Sequence, residues 1–355
     1  MKVAAFFAGA GGLDLGFKLA KFDVTWANEY DKTIWSTYEE NFPKTTLDRR
    51  SIVDVEAEDV PEVDGMIGGP PCQSWSEAGA ARGIEDKRGQ LFFEYVRLIE
   101  SKKPLFFLAE NVSGILFSKH SPALDRILSN FSQLGYNVSF GLLNAHDFGV
   151  PQDRQRVIIV GYQSHVGRFF TPPEPVNDAN KKVLRDAISD LDGLEVPARE
   201  GNKANEKLHI PNHEYMIGGF STMYMSRNRV RSWDEPSFTI QAGGRHAPLH
   251  PKAPKMVLVG KDQRVFEAGS ENLYRRLSVR EAARIQTFPD NHIFKYTSVV
   301  DGYKMIGNAV PVTFAKVLAQ KIAKDLQGQV RNSGEFKPGQ IFTFSELDPS
   351  GLPRN

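Results

Sequence analysis

Cys72, the single cysteine of the chain, follows Gly68-Gly69-Pro70-Pro71 and precedes Gln73-Ser74-Trp75-Ser76. Prolines fix backbone torsions and glycines permit close approach, so this thiol stands on a stiff turn, whereas an inert core cysteine sits inside a periodic apolar segment. A thiol presented in this way is a candidate nucleophile. Glu110, in Ala109-Glu110-Asn111-Val112, ends an apolar run, where a carboxylate is costly without a partner. It reads as a general acid or hydrogen-bond donor with a raised pKa facing the same cleft as Cys72, or as a helix N-cap or structural ion pair. Arg154 and Arg156, in Gln152-Asp153-Arg154-Gln155-Arg156, fall on one face of an extended segment. Two forked donors suit an anion or a polarised carbonyl, and a charge-guarded edge strand carries the same pattern.

A second group of residues points to a bound nucleoside. Phe7-Ala8-Gly9-Ala10-Gly11-Gly12 turns an apolar run into a helical pattern that begins near Leu13, and such glycines let backbone N–H groups approach a ligand. No Lys-Ser/Thr pair follows, and Asp14 stands where a dinucleotide motif has its third glycine. Glu29 lies about twenty residues on, at the end of the next apolar run, where a carboxylate can accept from two ribose hydroxyls. Tyr30 offers a face for a purine. A nucleoside cofactor without a pyrophosphate fits best. Together with a thiolate, a carboxylic acid and a carbonyl-binding arginine, this is a kit for conjugate addition to a pyrimidine: Cys72 at carbon 6, Glu110 at nitrogen 3, Arg156 on the exocyclic carbonyl, and a methyl group delivered to carbon 5 from a sulfonium.

The elements that must position these groups alternate short apolar runs with amphipathic segments, the pattern of a parallel sheet covered by helices on both faces. Strands are predicted at 3–7, 24–27, 65–67, 105–109, 138–143 and 157–161, and helices at 13–21, 32–41, 91–102 and 123–134, the last closed by Gly135. Gly9 to Gly12, Glu29, Cys72 and Glu110 all follow strands, at the carboxyl edge where such sheets bind ligands. Thr171-Pro172-Pro173-Glu174-Pro175 reads as a linker into a smaller, irregular region rich in Pro, Gly, Asn and His. Helix returns at 278–286 and 312–326, and Ile341-Phe342-Thr343-Phe344 could add a strand to the tail. The expected division is 1–170, 171–290, 291–330 and a tail, 331–355.

With 355 residues, 41% hydrophobic and 25% charged, the chain has the composition of an ordinary globular protein with a sizeable core. One cysteine excludes a disulfide framework or a zinc ribbon, no metal site is expected, and the start of the chain does not read as a signal peptide, so the cytoplasm is the expected compartment. A net charge of +1 means that any nucleic-acid surface must be local. Ser226 to Lys252 carries five basic residues against two acidic ones, with Arg227, Asn228, Arg229 and Arg245 as candidate base readers, although a charged surface loop has the same composition.

These residues, in this order, resemble the DNA (cytosine-5) methyltransferases across nearly the whole chain. Phe7 to Gly12 is similar to the cofactor loop of that family, Pro70-Pro71-Cys72-Gln73 to its nucleophile loop, Glu110-Asn111-Val112 to its acid motif and Gln152-x-Arg154-x-Arg156 to the motif supporting the target base. Arg276 to Pro289 is similar to the segment that organises the recognition domain, and Gly307-Asn308-Ala309-Val310-Pro311 to the one closing over the cofactor. The resemblance implies a Rossmann-like α/β methyltransferase sheet with a smaller target-recognition domain. It also implies S-adenosyl-L-methionine as cofactor, held by Phe7, Gly9, Gly11, Gly12, Leu13, Glu29, Tyr30, Pro71, Asn308 and Val310, with Cys72, Glu110, Arg154 and Arg156 as catalytic residues.

The substrate implied is duplex DNA with a flipped cytosine, and the loop from Ser76 to Arg88 would close behind the base on hinges at Gly79, Gly83 and Gly89. Asn212 to Tyr215, Ser226 to Arg231 and Leu249 to Pro251 are similar to GGCC-specific members of the family. One departure is Arg50-Ser51-Ile52 where the family often has Asp-Ile, which leaves the adenine amino group to backbone, Ser51, Asp48 or Asp54. A monomer acting on nucleoid DNA is expected, with a restriction endonuclease as a separate partner at the same site. The rival readings are the same chemistry on transfer RNA, a nicotinamide-dependent oxidoreductase and a noncatalytic DNA-binding module.

Overall fold

The computed structural model describes residues 1–71, 87–205, 208–327 and 338–354. In chain order its strands are β1 (Lys2–Phe6), β2 (Asp23–Asn28), β3 (Thr46–Asp48), β4 (Gly65–Gly68), β5 (Phe106–Val112), β6 (Tyr136–Asn144), β7 (Gln155–Gln163), β8 (Val196–Pro197), β9 (Glu214–Tyr215), β10 (Val257–Gly260), β11 (Gln263–Val265) and β12 (Ile341–Thr343). Its helices are α1 (Gly12–Leu19), α2 (Trp35–Asn41), α3 (Lys87–Lys102), α4 (Ser121–Gln133), α5 (Leu184–Ile188), α6 (Val279–Ile285), α7 (Val299–Asn308) and α8 (Val312–Gln327).

Alternation of side chains along β1 explains why helices cover both faces of the sheet. Val3 and Ala5 face one core with Phe17 of α1 and Phe314 and Leu318 of α8, while Ala4 and Phe6 face the other with Tyr95 of α3 and Phe131 of α4. The strand order is β12-β6-β7-β5-β4-β1-β2-β3 in one eight-stranded sheet. The expected parallel sheet has one reversed strand, β7, which runs antiparallel to both β5 and β6. Its connection from β6, residues 145–154, is too short for the helical crossover that a parallel pair requires, so the chain turns straight back. The tail does add a strand: β12 pairs in parallel with β6 and covers that edge of the sheet.

Helix α8 packs on α1 so closely that a Cβ on Gly16 would lie 2.3 Å from the Ala315 Cβ. Outside the sheet, α5, α6 and α7 share a third core, in which Leu184, Ile188, Ala282, Ile285 and Tyr303 meet Ala10 and Ile34. A fourth small core, around Tyr224, Val230, Leu249 and Tyr274, supports the arginine-rich segment.

Candidate active site

The apolar strands of the sheet end where the chain must leave it, and their carboxyl ends open on a cavity of about 360 Å³. Phe7, Gly9, Gly12, Leu13, Glu29, Tyr30, Pro71, Asn308 and Val310 all line it, together with Glu110, Arg154 and Arg156. Gly11 is not among the lining residues. It takes φ +80° at the head of α1, and a Cβ there would lie 2.2 Å from the Phe42 ring, so its part is to turn strand into helix. At Gly12 a Cβ would come within 2.3 Å of the Val310 carbonyl oxygen; the glycine lets the 307–310 loop lie directly against the start of α1.

Glu29 accepts from the Gly9 amide at 2.9 Å and from the Asp31 amide at 2.7 Å. Burial raises its pKa above the ordinary carboxylate value, against these two backbone amides. Carboxylate oxygens have lone pairs beyond two amide bonds, so the group can still accept from hydroxyls. Tyr30, 72% exposed, lines the cavity, and Ser51 is the member of the Ser51, Asp48 and Asp54 set that reaches its wall. Asp48 instead pairs with Arg50. No unengaged basic side chain awaits a phosphate among the described lining residues: Arg154 and Arg156 both have partners. A nucleoside without a pyrophosphate therefore fits the residues present.

Sequence reasoning treated Asp14 only as a departure from a glycine motif and missed that it lines the cavity. Its Oδ2 accepts from the Tyr38 hydroxyl at 2.6 Å, and its buried Oδ1 has no side-chain or backbone hydrogen-bond partner among the described residues. Burial, opposed by the Tyr38 hydrogen bond, raises its pKa from 3.8 to about 7. The folded chain therefore holds this proton when the unfolded chain has lost it, and stability falls as pH rises from about 4 to about 7, by up to about 4 kcal/mol. Asp14→Asn should remove this slope. Urea unfolding of both proteins at pH 5 and pH 8 checks it, and an equal pH dependence would show that Asp14 titrates normally.

The catalytic candidates separate into two kinds. Glu110, at the end of β5, and Arg156, at the start of β7, face each other across the sheet as a largely buried ion pair with Nε to Oε1 at 2.8 Å. The ion-pair alternative for Glu110 thus has its partner, and the partner is itself a cavity residue. A Cβ on Gly69 would lie 3.4 Å from the Glu110 Oε2, and the Asn111 amide reaches the Pro70 carbonyl at 3.5 Å, so the turn leading to Cys72 passes beside this pair. Arg154 is different. Its guanidinium is buried and donates to the backbone carbonyls of Ile240 at 3.1 Å and of Gly307 and Ala309 at 2.9 Å each. Burial pulls its pKa well below the ordinary arginine value. It joins chain segments, whereas Arg156 pairs with Glu110 and donates through Nη1 to the Gln155 carbonyl at 2.7 Å. Cys72 and Ser76, with the loop to its hinges at Gly79 and Gly83, lie outside the described residues, as does the side chain of Arg88 in α3.

In the arginine-rich region Arg227 and Arg245 are exposed. Asn228 is occupied internally, donating to the Val230 carbonyl at 2.7 Å and accepting from the Met256 amide at 3.1 Å. Arg229 stacks on Tyr224 and donates to its carbonyl at 2.9 Å. The pair free to reach a ligand is therefore Arg227 and Arg245. Glu195, His213 and Glu281 bring ligand atoms within 4.8 Å of one another, the spacing of a metal site. Both His213 nitrogens already bond, to Ser278 and to the Leu191 carbonyl, and Glu281 pairs with Arg275, so these donors organise the start of α6.

Residues 1–324 match the model of the family described as C-5 cytosine-specific DNA methylase. The chain belongs to that family. Its enzymes transfer a methyl group from S-adenosyl-L-methionine. The type II methyltransferase M.MthTI of Methanothermobacter thermautotrophicus is 55% identical over 329 residues, covering 92% of this chain and 98% of its own. M.FnuDI of Fusobacterium nucleatum, also a type II methyltransferase, is 50% identical, covering 96% of this chain and all of its own. The fold is shared with the S. pombe Dnmt2 methyltransferase, with a TM-score of 0.63 at 21% identity over 92% of this chain and 100% of that one. Among the described residues of the methylase no helix is long and apolar enough to cross a membrane.

Proposed function

We propose that this methylase modifies the inner cytosine of GGCC in duplex DNA at carbon 5, through a transient bond between Cys72 and carbon 6 of a flipped base. The observation that carries the reading is the Glu110–Arg156 pair standing in the wall of the cofactor cavity, beside the turn that leads into Cys72. The Cys72 thiolate adds to carbon 6 as the ring electrons move toward carbon 5. Glu110 in its protonated form donates its proton to nitrogen 3 on addition and recovers it when the thiolate leaves, while Arg156 holds the exocyclic oxygen, so both stabilise charge that develops only on addition. S-adenosyl-L-methionine, when bound, supplies the electrophilic methyl group. Carbon 5 then loses its proton to a base, the electron pair reforms the ring double bond, and the Cys72 sulfur leaves carbon 6.

Glu29, Tyr30 and the 307–310 loop would hold the cofactor, and Ser51, which lines the cavity, would meet its adenine. Arg227 and Arg245 would read guanines. The GGCC assignment is supported by the likeness of 212–215, 226–231 and 249–251 to the HaeIII modification methylase. The type II relatives support a role as the modification partner of a separate restriction endonuclease. The chain would act as a monomer on nucleoid DNA in the cytoplasm, with 171–290 as the recognition domain between 1–170 and the returning 291–330.

Bisulfite sequencing of plasmid DNA from cells expressing the chain tests activity and site together. Protection of the inner cytosine of GGCC is expected; protection elsewhere overturns the specificity, and methylation of transfer RNA but not of duplex DNA overturns the substrate. Arg227→Ala should cost about 1–3 kcal/mol of discrimination at one guanine. Competition between duplexes substituted at each position measures this, and an unchanged preference removes Arg227 from the readers.

A further inference from the structure

A buried relay of hydrogen bonds runs from the recognition region to the cofactor cavity. The Ile240 amide donates to the Gln152 Oε1 at 2.8 Å, the Gln152 Nε2 donates to the Gln286 Oε1 at 2.9 Å, and the Gln286 Nε2 donates to the Ile306 carbonyl at 2.8 Å and the Ala309 carbonyl at 3.3 Å. The Ile240 amide can only donate, so it fixes which end of Gln152 faces it, and Gln152 in turn fixes Gln286. Arg154 closes the same circuit by donating to the carbonyls of Ile240, Gly307 and Ala309. Gln152, Arg154, Gln286 and Ile240 are all 0–1% exposed, so none of these bonds competes with bulk water.

Backbone contact reinforces the relay. A Cβ on Gly307 would lie 2.2 Å from the Gln241 carbonyl carbon, so the 240–242 segment rests directly on the loop that lines the cavity. Helix α7 ends in that loop, and a Cβ on Gly244 would lie 2.6 Å from the Tyr303 ring, which places the Arg245 turn on the body of the same helix. The exposed arginine and the cavity loop are therefore attached to one stiff unit.

We infer that Gln152, Arg154 and Gln286 are positioning residues that lock the 240–245 recognition segment to the 306–310 loop, so that DNA seated on the first tightens the cofactor site at the second. The inference rests on the proposed reading of the cavity as the cofactor site. By thermodynamic linkage the tightening is reciprocal, and couplings of this kind amount to about 5- to 150-fold in affinity.

The test is calorimetric binding of S-adenosylhomocysteine to the full chain with and without a GGCC duplex, the ratio of the two dissociation constants being the coupling. For the wild type the ratio should exceed about 5. In Gln286→Met and in Gln152→Met it should fall toward 1, and the double variant should be no lower than either, since both cut one relay. Arg154→Lys, which keeps the charge but cannot span three carbonyls, supplies an independent arm should a methionine variant not fold. A merely structural role lowers the unfolding temperature and leaves the ratio alone. A wild-type ratio of 1, or an unchanged ratio in folded variants, overturns the inference. Failure of the wild type to bind S-adenosylhomocysteine, or binding that ignores Glu29→Ala, overturns the cavity reading instead.

Discussion

Cys72→Ala should lower methyl transfer by at least about 10⁴-fold while changing the affinities for S-adenosylhomocysteine and for a GGCC duplex by no more than a few-fold. The asymmetry follows from what the thiol does: it touches the ring only when a bond forms, so its loss removes the path to a nucleophilic carbon 5 without removing any surface that binds. The cavity residues that would hold the cofactor, Glu29 and the 307–310 loop, and the exposed Arg227 and Arg245 remain in place. Single-turnover transfer of labelled methyl measures the loss. A second measurement isolates the covalent step. A duplex with fluorine at carbon 5 of the target has no proton to surrender, so the wild-type adduct should survive denaturing electrophoresis and the alanine variant should form none. Residual turnover above about one per cent of wild type would mean that the thiol is dispensable.

Much of this site could be read from the sequence because its residues sit at strand ends. The carboxyl ends of the largely apolar β1, β2, β4 and β5 deliver Phe7, Glu29, the Gly69 turn and Glu110 to one cavity. What the sequence hid was long-range or required a partner. The reversal of β7 depends on how short its connection is. Helix α7 was not foreseen because Gly302 and Gly307 weaken a helical pattern; in the structure both glycines admit a close neighbour, the Tyr296 ring and the Gln241 backbone. Arg154 and Arg156 are two residues apart and looked equivalent. Only the fold, by bringing Ile240, Gly307 and Ala309 to one and Glu110 to the other, gives them different work. Asn228 and Arg229 likewise sit in a run that reads as uniformly exposed, yet the small core around Tyr224 turns them inward.

Glu110→Gln should reduce the rate of the chemical step by about 10²- to 10⁴-fold with little change in binding of cofactor or DNA. The glutamine keeps the shape, but it carries no acid proton for nitrogen 3 and no charge to hold the Arg156 guanidinium. Glu110 and Arg156 are each about a tenth exposed at the side chain, so the pair is poorly screened and its members answer to one another. The two effects can be told apart. If Glu110 acts mainly by orienting Arg156, then Arg156→Ala should abolish the additional effect of Glu110→Gln, and the double variant should be as slow as Arg156→Ala alone. If Glu110 acts on nitrogen 3, as proposed, the losses should largely multiply, because one residue serves the ring nitrogen and the other the exocyclic oxygen. Rapid-quench rates for the four proteins, with unfolding midpoints to confirm that each is folded, decide between these outcomes. A single Glu110→Gln rate within a few-fold of wild type would remove Glu110 from the chemistry altogether and leave its ion pair with Arg156 as a structural bond at the end of β5.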